Sequence, residues 1–417
     1  MKSVIYVPDS GVWQRDGSPG GLSLLERQIL QLGALDIDAP VLVVPVGDPE
    51  PVLPRRCQIG ALVRVPKETP SAFAALAAAV AVLPADFVFL AADRLVDPRV
   101  LRALAACSGS VVACSADASP EPVARVRAAD LRRYGSELAG HVRRLALDSL
   151  DPYVTELRGT VVPYILSVRS PAERRAAWPV LLDGVQKRAL DLPGRYFDTP
   201  FENFLLRRIA PTNLTPNQVT LATIVLACAV GTLFLHGWLR TGVLLALLVG
   251  VLDGVDGKLA RLKLATSKIG EFEHVADFFY ENFWYLAIAA HLQAVTGIAG
   301  LWQAGLFLAG FDLTDNLLYL VVRVRTGSVL DELSQFDRSF RLIAGRRNVY
   351  VMIFAAGFFG GGPAAAFVAA TLWAGVTAVV HALRALGALR KPLSPTEAAA
   401  PEVSEIEPAA GVALSEK

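Results

Sequence analysis

The pattern of apolar and polar positions changes character twice along the chain. Residues 1 to about 175 alternate short β-branched runs with stretches whose apolar residues recur every three or four positions. SVIYV, PVLVVPV, ALVRV, DFVFLAAD and SVVACS predict strands, and LSLLERQILQLGAL, SAFAALAAAVAVL and DPRVLRALAAC predict the helices between them. Strands separated by helices imply a mainly parallel sheet covered on both faces, so this part reads as a Rossmann-like α/β domain. Residues 176 to about 212 interleave apolar side chains with Lys187, Arg188, Arg195, Arg207 and Arg208. That is the pattern of a basic amphipathic helix at a membrane surface; the alternative is a solvated linker helix. From residue 217 six apolar spans follow, near 217–238, 242–262, 270–293, 299–323, 348–362 and 364–386. All but the shorter fifth approach the ~20 residues a helix needs to cross the hydrocarbon. The expected organisation is an α/β domain over 1–175, a juxtamembrane segment over 176–212 and an all-α six-helix membrane domain over 213–390. A Pro-, Ala- and Glu-rich tail over 391–417 is expected to be disordered.

Charge orients the spans. The loops after spans two and four hold Lys258, Arg261, Lys263 and Lys268, then Arg323, Arg325, Arg338, Arg341, Arg346 and Arg347. Arg384, Arg390 and Lys391 follow the last span, whereas the intervening loops share only Arg240. This asymmetry predicts a multi-pass protein of the cell (inner) membrane with both termini cytoplasmic. The opening MKSVIYVPDSGVWQRD has no long apolar run of the secretory kind, which agrees. Hydrophobic residues make up 53% of the 417 and the mean hydropathy is +0.44, high for a soluble chain. A net charge of +1 gives no bulk field for nucleic acid. Cys57, Cys107, Cys114 and Cys228 show no CxxC spacing, so no disulfide framework is expected.

Against this background the stretch DGVDGKLARLKLATSKIGEFEHVAD, residues 253 to 277, stands out. Asp253 and Asp256 are three apart and share a helix face; Glu273 and Asp277, four apart, share a face on the next helix. Four bare carboxylates in one apolar cavity would repel one another and lose their hydration. A divalent cation removes both penalties, and hard oxygen ligands suit Mg²⁺, Mn²⁺ or Ca²⁺. Gly257 lets a ligand approach the backbone, and Arg261, about one turn on, offers a phosphate partner. Structural ion pairs are the alternative, but ionisable residues at membrane depth are functional by default.

These residues resemble the signature of the CDP-alcohol phosphotransferases, D-x2-D-G-x2-A-R-x8-G-x3-D-x3-D. Asp253, Asp256, Gly257, Ala260, Arg261 and Gly270 match it in type and spacing. Strict spacing then places the third and fourth acids at His274 and Phe278; a one-residue deletion after Gly270 restores them as Glu273 and Asp277. The resemblance spans about residues 200 to 390. It implies that Asp253, Asp256, Glu273 and Asp277 bind Mg²⁺ or Mn²⁺, as two ions over a CDP diphosphate, with Asp277 the general base on an acceptor hydroxyl. It further implies a CMP site lined by Asp253, Gly257, Ala260, Arg261 and Gly270. TPNQVT looks like the family's entry to its first span, where Asn217 either faces the nucleotide or caps the helix. A homodimer embedded in the lipid bilayer is implied as well.

The acceptor is less constrained. Lys268, Arg338, Arg341, Arg346 and Arg347 form a basic set at a cytoplasmic membrane boundary, suited to a phosphate on the acceptor or to ordinary positive-inside anchoring. Asp312 and Asp315 in FDLTDNLL either bind acceptor hydroxyls or pair with those arginines. A soluble nucleotidyltransferase-like domain fused ahead of such a membrane domain is similar to the bifunctional enzymes of di-myo-inositol phosphate phosphate synthesis. That similarity implies CDP-inositol and an inositol phosphate-like acceptor; glycerol phosphate or a lipid hydroxyl are the alternatives, and a cation-coupled transporter is the reading from a different class. In the soluble domain Asp93 matches the family's metal-binding aspartate and Arg15 a remnant of its Gly-rich loop. No lysine occurs between Lys2 and Lys67, so the catalytic lysine is missing and weak or absent cytidylyltransferase activity is expected.

Overall fold

The computed structural model describes residues 1–9, 18–115, 118–265 and 269–390, without the side chains of 19 and 269–274. Two compact units divide the chain, with the boundary between Gln186 and Lys187.

The first unit is built on a seven-stranded sheet. Its strands are β1 (Lys2–Tyr6), β2 (Val41–Pro45), β3 (Ala61–Val65), β4 (Asp86–Ala91), β6 (Val111–Cys114), β7 (Pro120–Arg127) and β8 (Arg143–Ala146), in the order β3-β2-β1-β4-β7-β6-β8. β5 (Arg94–Val96) pairs with β11 (Ile165–Ser167), and β9 (Tyr153–Val154) with β10 (Gly159–Thr160). Helices α1 (Leu24–Ala34), α2 (Ala72–Ala79), α3 (Pro98–Ala106), α4 (Ala128–Tyr134), α5 (Leu138–His141) and α6 (Pro171–Asp183) complete the unit. Side chains alternate across a strand. Ile5, Leu42, Val88 and Leu90 pack with α1 and α3 on one face, and Val4, Val43, Phe87 and Phe89 pack with α2 on the other. Both faces are therefore buried, which is why the strands read as continuous apolar runs.

β1, β2, β3 and β4 are mutually parallel, as the alternation of elements predicts. β7 is different: it runs antiparallel to both β4 and β6. Five residues separate Cys114 from Pro120, and a parallel return needs a dozen or more.

The second unit is helical: α7 (Thr199–Ile209), α8 (Pro216–Leu235), α9 (Leu239–Leu262), α10 (Ile269–Thr296), α11 (Leu301–Thr326), α12 (Gln335–Phe340), α13 (Arg347–Gly360) and α14 (Pro363–Leu389). Among the described residues α8, α11 and α14 are long and apolar enough to cross a membrane. α9 and α10 are as long, with 24 and 28 residues, but they carry the acids. α10 packs between α8 and α11, and α11 and α13 pack on α14. Phe234, Trp284, Tyr285, Phe354 and Phe367 fill the centre. The Thr215 hydroxyl accepts from the Gln218 N–H while the Gln218 side chain accepts from the Thr215 N–H, a reciprocal cap that starts α8.

Candidate active site

α9 carries Asp253 and Asp256 on one turn, and each meets a different helix. Asp256 is buried, and its Oδ2 accepts a hydrogen bond of 2.6 Å from the Thr220 hydroxyl on α8. Asp253 is half-buried and forms an ion pair with Arg347, the first residue of α13. The same guanidinium donates to the Tyr280 hydroxyl and lies 3.2 Å from Glu281 Oε1, both on α10. Arg347 thus ties α9, α10 and α13 together. Asp277, half-buried one turn before Glu281, also acts electrostatically on it. The structure therefore pairs Asp253 and Glu281 with one half-buried cation, on which Asp277 also acts electrostatically.

On the next turn of α9, a Cβ built on Gly257 would have Arg261 Nη1 as its nearest neighbour, at 3.5 Å. The glycine and the guanidinium accordingly sit side by side, with the half-buried Ala260 between them in sequence. Gly270 lies in the first turn of α10. Lys268 lies outside the described residues, and so does the Glu273 side chain. Asn217 is exposed on the first turn of α8; since Thr215 makes the cap, capping is not its role.

The basic residues beyond α11 differ in their surroundings. Arg338 is exposed on α12, Arg341 is paired with Asp331 and donates to the Ala189 carbonyl at 3.0 Å, and Arg346 lies over the Tyr319 ring at 5.0 Å. Asp315 pairs with His381, and Asp312 accepts from Asn282 at 3.2 Å.

Three side chains here escaped sequence reasoning. Glu281 left a signal, an acid four residues after Asp277 within an apolar run. Lys258 and Glu202 did not, because each looked like a surface charge. Lys258 is 2% exposed, with its Nζ 2.7 Å from Glu202 Oε2 and 2.9 Å from Asn203 Oδ1. Just ahead of α7, the buried Asp198 accepts from Asn348 at 3.0 Å. Burial, then the charges of Glu202 and Asp191, push the Asp198 carboxyl up to about 7. Burial also raises the Glu202 carboxyl, against the opposing pull of Lys258.

Two carboxylates one turn apart, one of them oriented by a hydroxyl, are the right donor chemistry for a hard divalent cation. Among the described residues no three of His, Cys, Asp or Glu converge closely enough to hold one. In the first unit Asp93 follows β4 and is 1% exposed. It is paired with Arg169 and with Arg94 at 3.3 Å, while Arg15 lies outside the described residues.

Residues 213–380 match the family described as CDP-alcohol phosphatidyltransferase. The chain is 28% identical over 413 residues to the bifunctional IPC transferase and DIPP synthase of Rubrobacter xylanophilus, covering 89% of this chain and 91% of that protein. It is also similar to the crystal structure of phosphatidylinositol phosphate synthase from Mycobacterium tuberculosis with CDP-DAG bound, at 17% identity. That match covers 48% of this chain and 99% of the other with a TM-score of 0.36.

Proposed function

We propose, with residues 213–380 forming a CDP-alcohol phosphatidyltransferase domain, that the chain moves a phospho-alcohol from a CDP-alcohol to an inositol phosphate-like acceptor and releases CMP. Asp253, Asp256, Glu273 and Asp277 would hold Mg²⁺ or Mn²⁺, in all two ions. When bound, such ions neutralise diphosphate charge and stabilise the attacking and leaving oxygens of a displacement.

The chain's own groups carry the rest. Asp277 takes the proton of the acceptor hydroxyl; that oxygen bonds to the β-phosphorus, and the β-phosphorus–oxygen bond to CMP breaks. Gly257, Ala260, Arg261 and Gly270 line the CMP, with Asn217 at its edge. Lys268, Arg338, Arg341, Arg346 and Arg347 supply cations for the acceptor phosphate. Six helices, α8, α9, α10, α11, α13 and α14, cross the cell membrane with both termini cytoplasmic, and two copies associate.

The observation that carries this reading is the Asp253–Asp256 turn inside the matched domain, with Asp256 buried and aimed by Thr220. The test supplies membranes or purified protein with CDP-inositol, candidate acceptors and Mg²⁺, then identifies products by mass. CMP and a phosphodiester product are expected, and both should vanish with chelator or Asp256→Ala. Release that survives both changes refutes the assignment.

The first unit is read as a Rossmann-like, nucleotidyltransferase-type domain without efficient cytidylyltransferase activity. Support comes from Asp93, whose charge is already met by two guanidinium groups. Full-length protein given CTP, Mg²⁺ and inositol 1-phosphate should release little pyrophosphate; robust release would make the chain bifunctional.

A further inference from the structure

The helix that carries the signature has a second polar face. Gly250, Gly254 and Lys258 recur every four residues along α9 and so form one stripe beside the Asp253–Gly257–Arg261 face. The segment leading into and along α7 presents Asp198 and Glu202, also four apart, to that stripe. A Cβ on Gly254 would overlap the Glu202 carboxylate, so glycine is what lets this side chain cross the helix. A Cβ on Gly250 would sit 3.5 Å from Asn348 Oδ1 and 3.9 Å from Asp198 Oδ1. Above the gap Lys258 closes on Glu202 at 2.7 Å and on Asn203 at 2.9 Å. Arg261 acts electrostatically on both Glu202 and Lys258.

A lysine this buried is tolerated only when paired, and removing its partner leaves an uncompensated charge. Lys258 follows Gly257 directly and precedes Ala260 and Arg261. Consecutive residues of a helix are ~100° apart around the axis, so fixing Lys258 fixes where Gly257 and Arg261 point. The fixing group lies outside the matched domain, since Glu202 precedes residue 213.

We propose that Glu202 and Lys258 are positioning residues: α7 sets the rotation of α9 and holds the nucleotide-contacting face of Gly257, Ala260 and Arg261 toward the CDP group. The inference rests on the reaction assigned above and adds a required element upstream of the matched domain.

The test uses full-length protein in detergent or nanodiscs, with CDP-inositol as the varied substrate. Glu202→Gln, Lys258→Met and the exchanged pair Glu202→Lys with Lys258→Glu are compared for KM, kcat and melting temperature. Each single change should raise the KM for CDP-inositol by roughly tenfold, as expected when a charge-assisted contact that aims a binding face is lost. kcat should fall much less, and the exchanged pair should recover most of the KM. If Lys258→Met does not accumulate, Glu202→Gln carries the test, because it keeps an acceptor for Lys258. An unchanged KM in Glu202→Gln overturns the proposal. So does a loss of kcat in step with melting temperature that the exchanged pair does not repair. No CMP release by the unaltered chain would overturn the reaction assignment and the positioning role together, whereas release with an unchanged variant KM overturns the positioning role alone.

Discussion

Arg347→Met tests whether one guanidinium holds three helices in register. Arg347 is the cation for Asp253 on α9 and for Glu281 on α10, and it donates to the Tyr280 hydroxyl. Methionine preserves much of the side-chain length and apolar volume but none of the charge. Two half-buried carboxylates would then be left without their cation. Removing one partner of a buried pair costs about 3–5 kcal/mol and an exposed bridge ~0–1 kcal/mol; with all three groups half-buried, about 2–3 kcal/mol is expected here. For a domain of this size ~1 kcal/mol corresponds to about 2–4 °C, so the melting temperature in detergent should fall by roughly 4–12 °C. Arg347→Lys should recover only part of this, because an ammonium cannot reach all three partners as a planar fork does. The assay is a fluorescence melt of purified protein, paired with CMP release at a temperature where both variants are folded. Turnover should drop as well, since Asp253 loses the group that orients it. A melting point for Arg347→Met within ~2 °C of the original would refute the reasoning, because a neutralising cation cannot be removed at so little cost.

Further outcomes follow from the same geometry. Thr220→Val removes the hydroxyl that donates to Asp256 at 2.6 Å; the Mg²⁺ concentration giving half-maximal CMP release should rise by about 10–100-fold, as for other lost outer-shell partners, and an unchanged metal titration would contradict the Asp256 assignment. Asp198 contributes a pH dependence of fixed sign. Its carboxyl sits at about 7 in the folded chain against ~3.9 when unfolded, so the folded state holds the proton more tightly. Its stabilisation is complete below ~4 and is lost as pH rises to about 7, by at most ~4 kcal/mol. Melting temperatures from pH 5 to pH 8 should decline in the original chain, and Asp198→Asn should flatten that decline; parallel curves would refute it.

The sequence made the helical half legible because its apolar residues are continuous over whole spans. The apolar run expected near 348–362 is the helix α13 at Arg347–Gly360, and the run expected to reach 238 is helical only to Leu235, beyond which Gly237 adopts a positive φ. Asp253 and Asp256 were visible for a similar reason: their relationship is local, one turn of one helix. Their partners were not. Arg347 is 94 residues from Asp253 and Thr220 is 36 from Asp256, and no periodicity encodes which long-range neighbour a side chain meets. The first unit shows the same division. Both-face burial was readable from strand hydrophobicity, whereas the antiparallel β7 followed from a short connection that composition alone does not reveal.

The juxtamembrane segment shows most clearly where such reading stops. Its basic, apolar pattern predicted a helix lying on lipid; in the structure Tyr196, Phe201 and Phe204 are exposed, with Arg208 over the Phe204 ring at 5.0 Å. Aromatic and arginine side chains on one face suit a membrane interface. The opposite face breaks the pattern, because what it buries is polar. Glu202 is buried beside the buried Leu206, and its partner is a lysine that sequence assigned to a cytoplasmic loop. A hydrophobicity pattern ranks positions by their affinity for water, so it places every charge outside unless a partner is known. Pairing reverses that ranking for Glu202 and Lys258 together, and only together. Asp253 with Arg347 follows the same rule: the acid was legible as a membrane-depth charge, but the cation that compensates it lies on another helix.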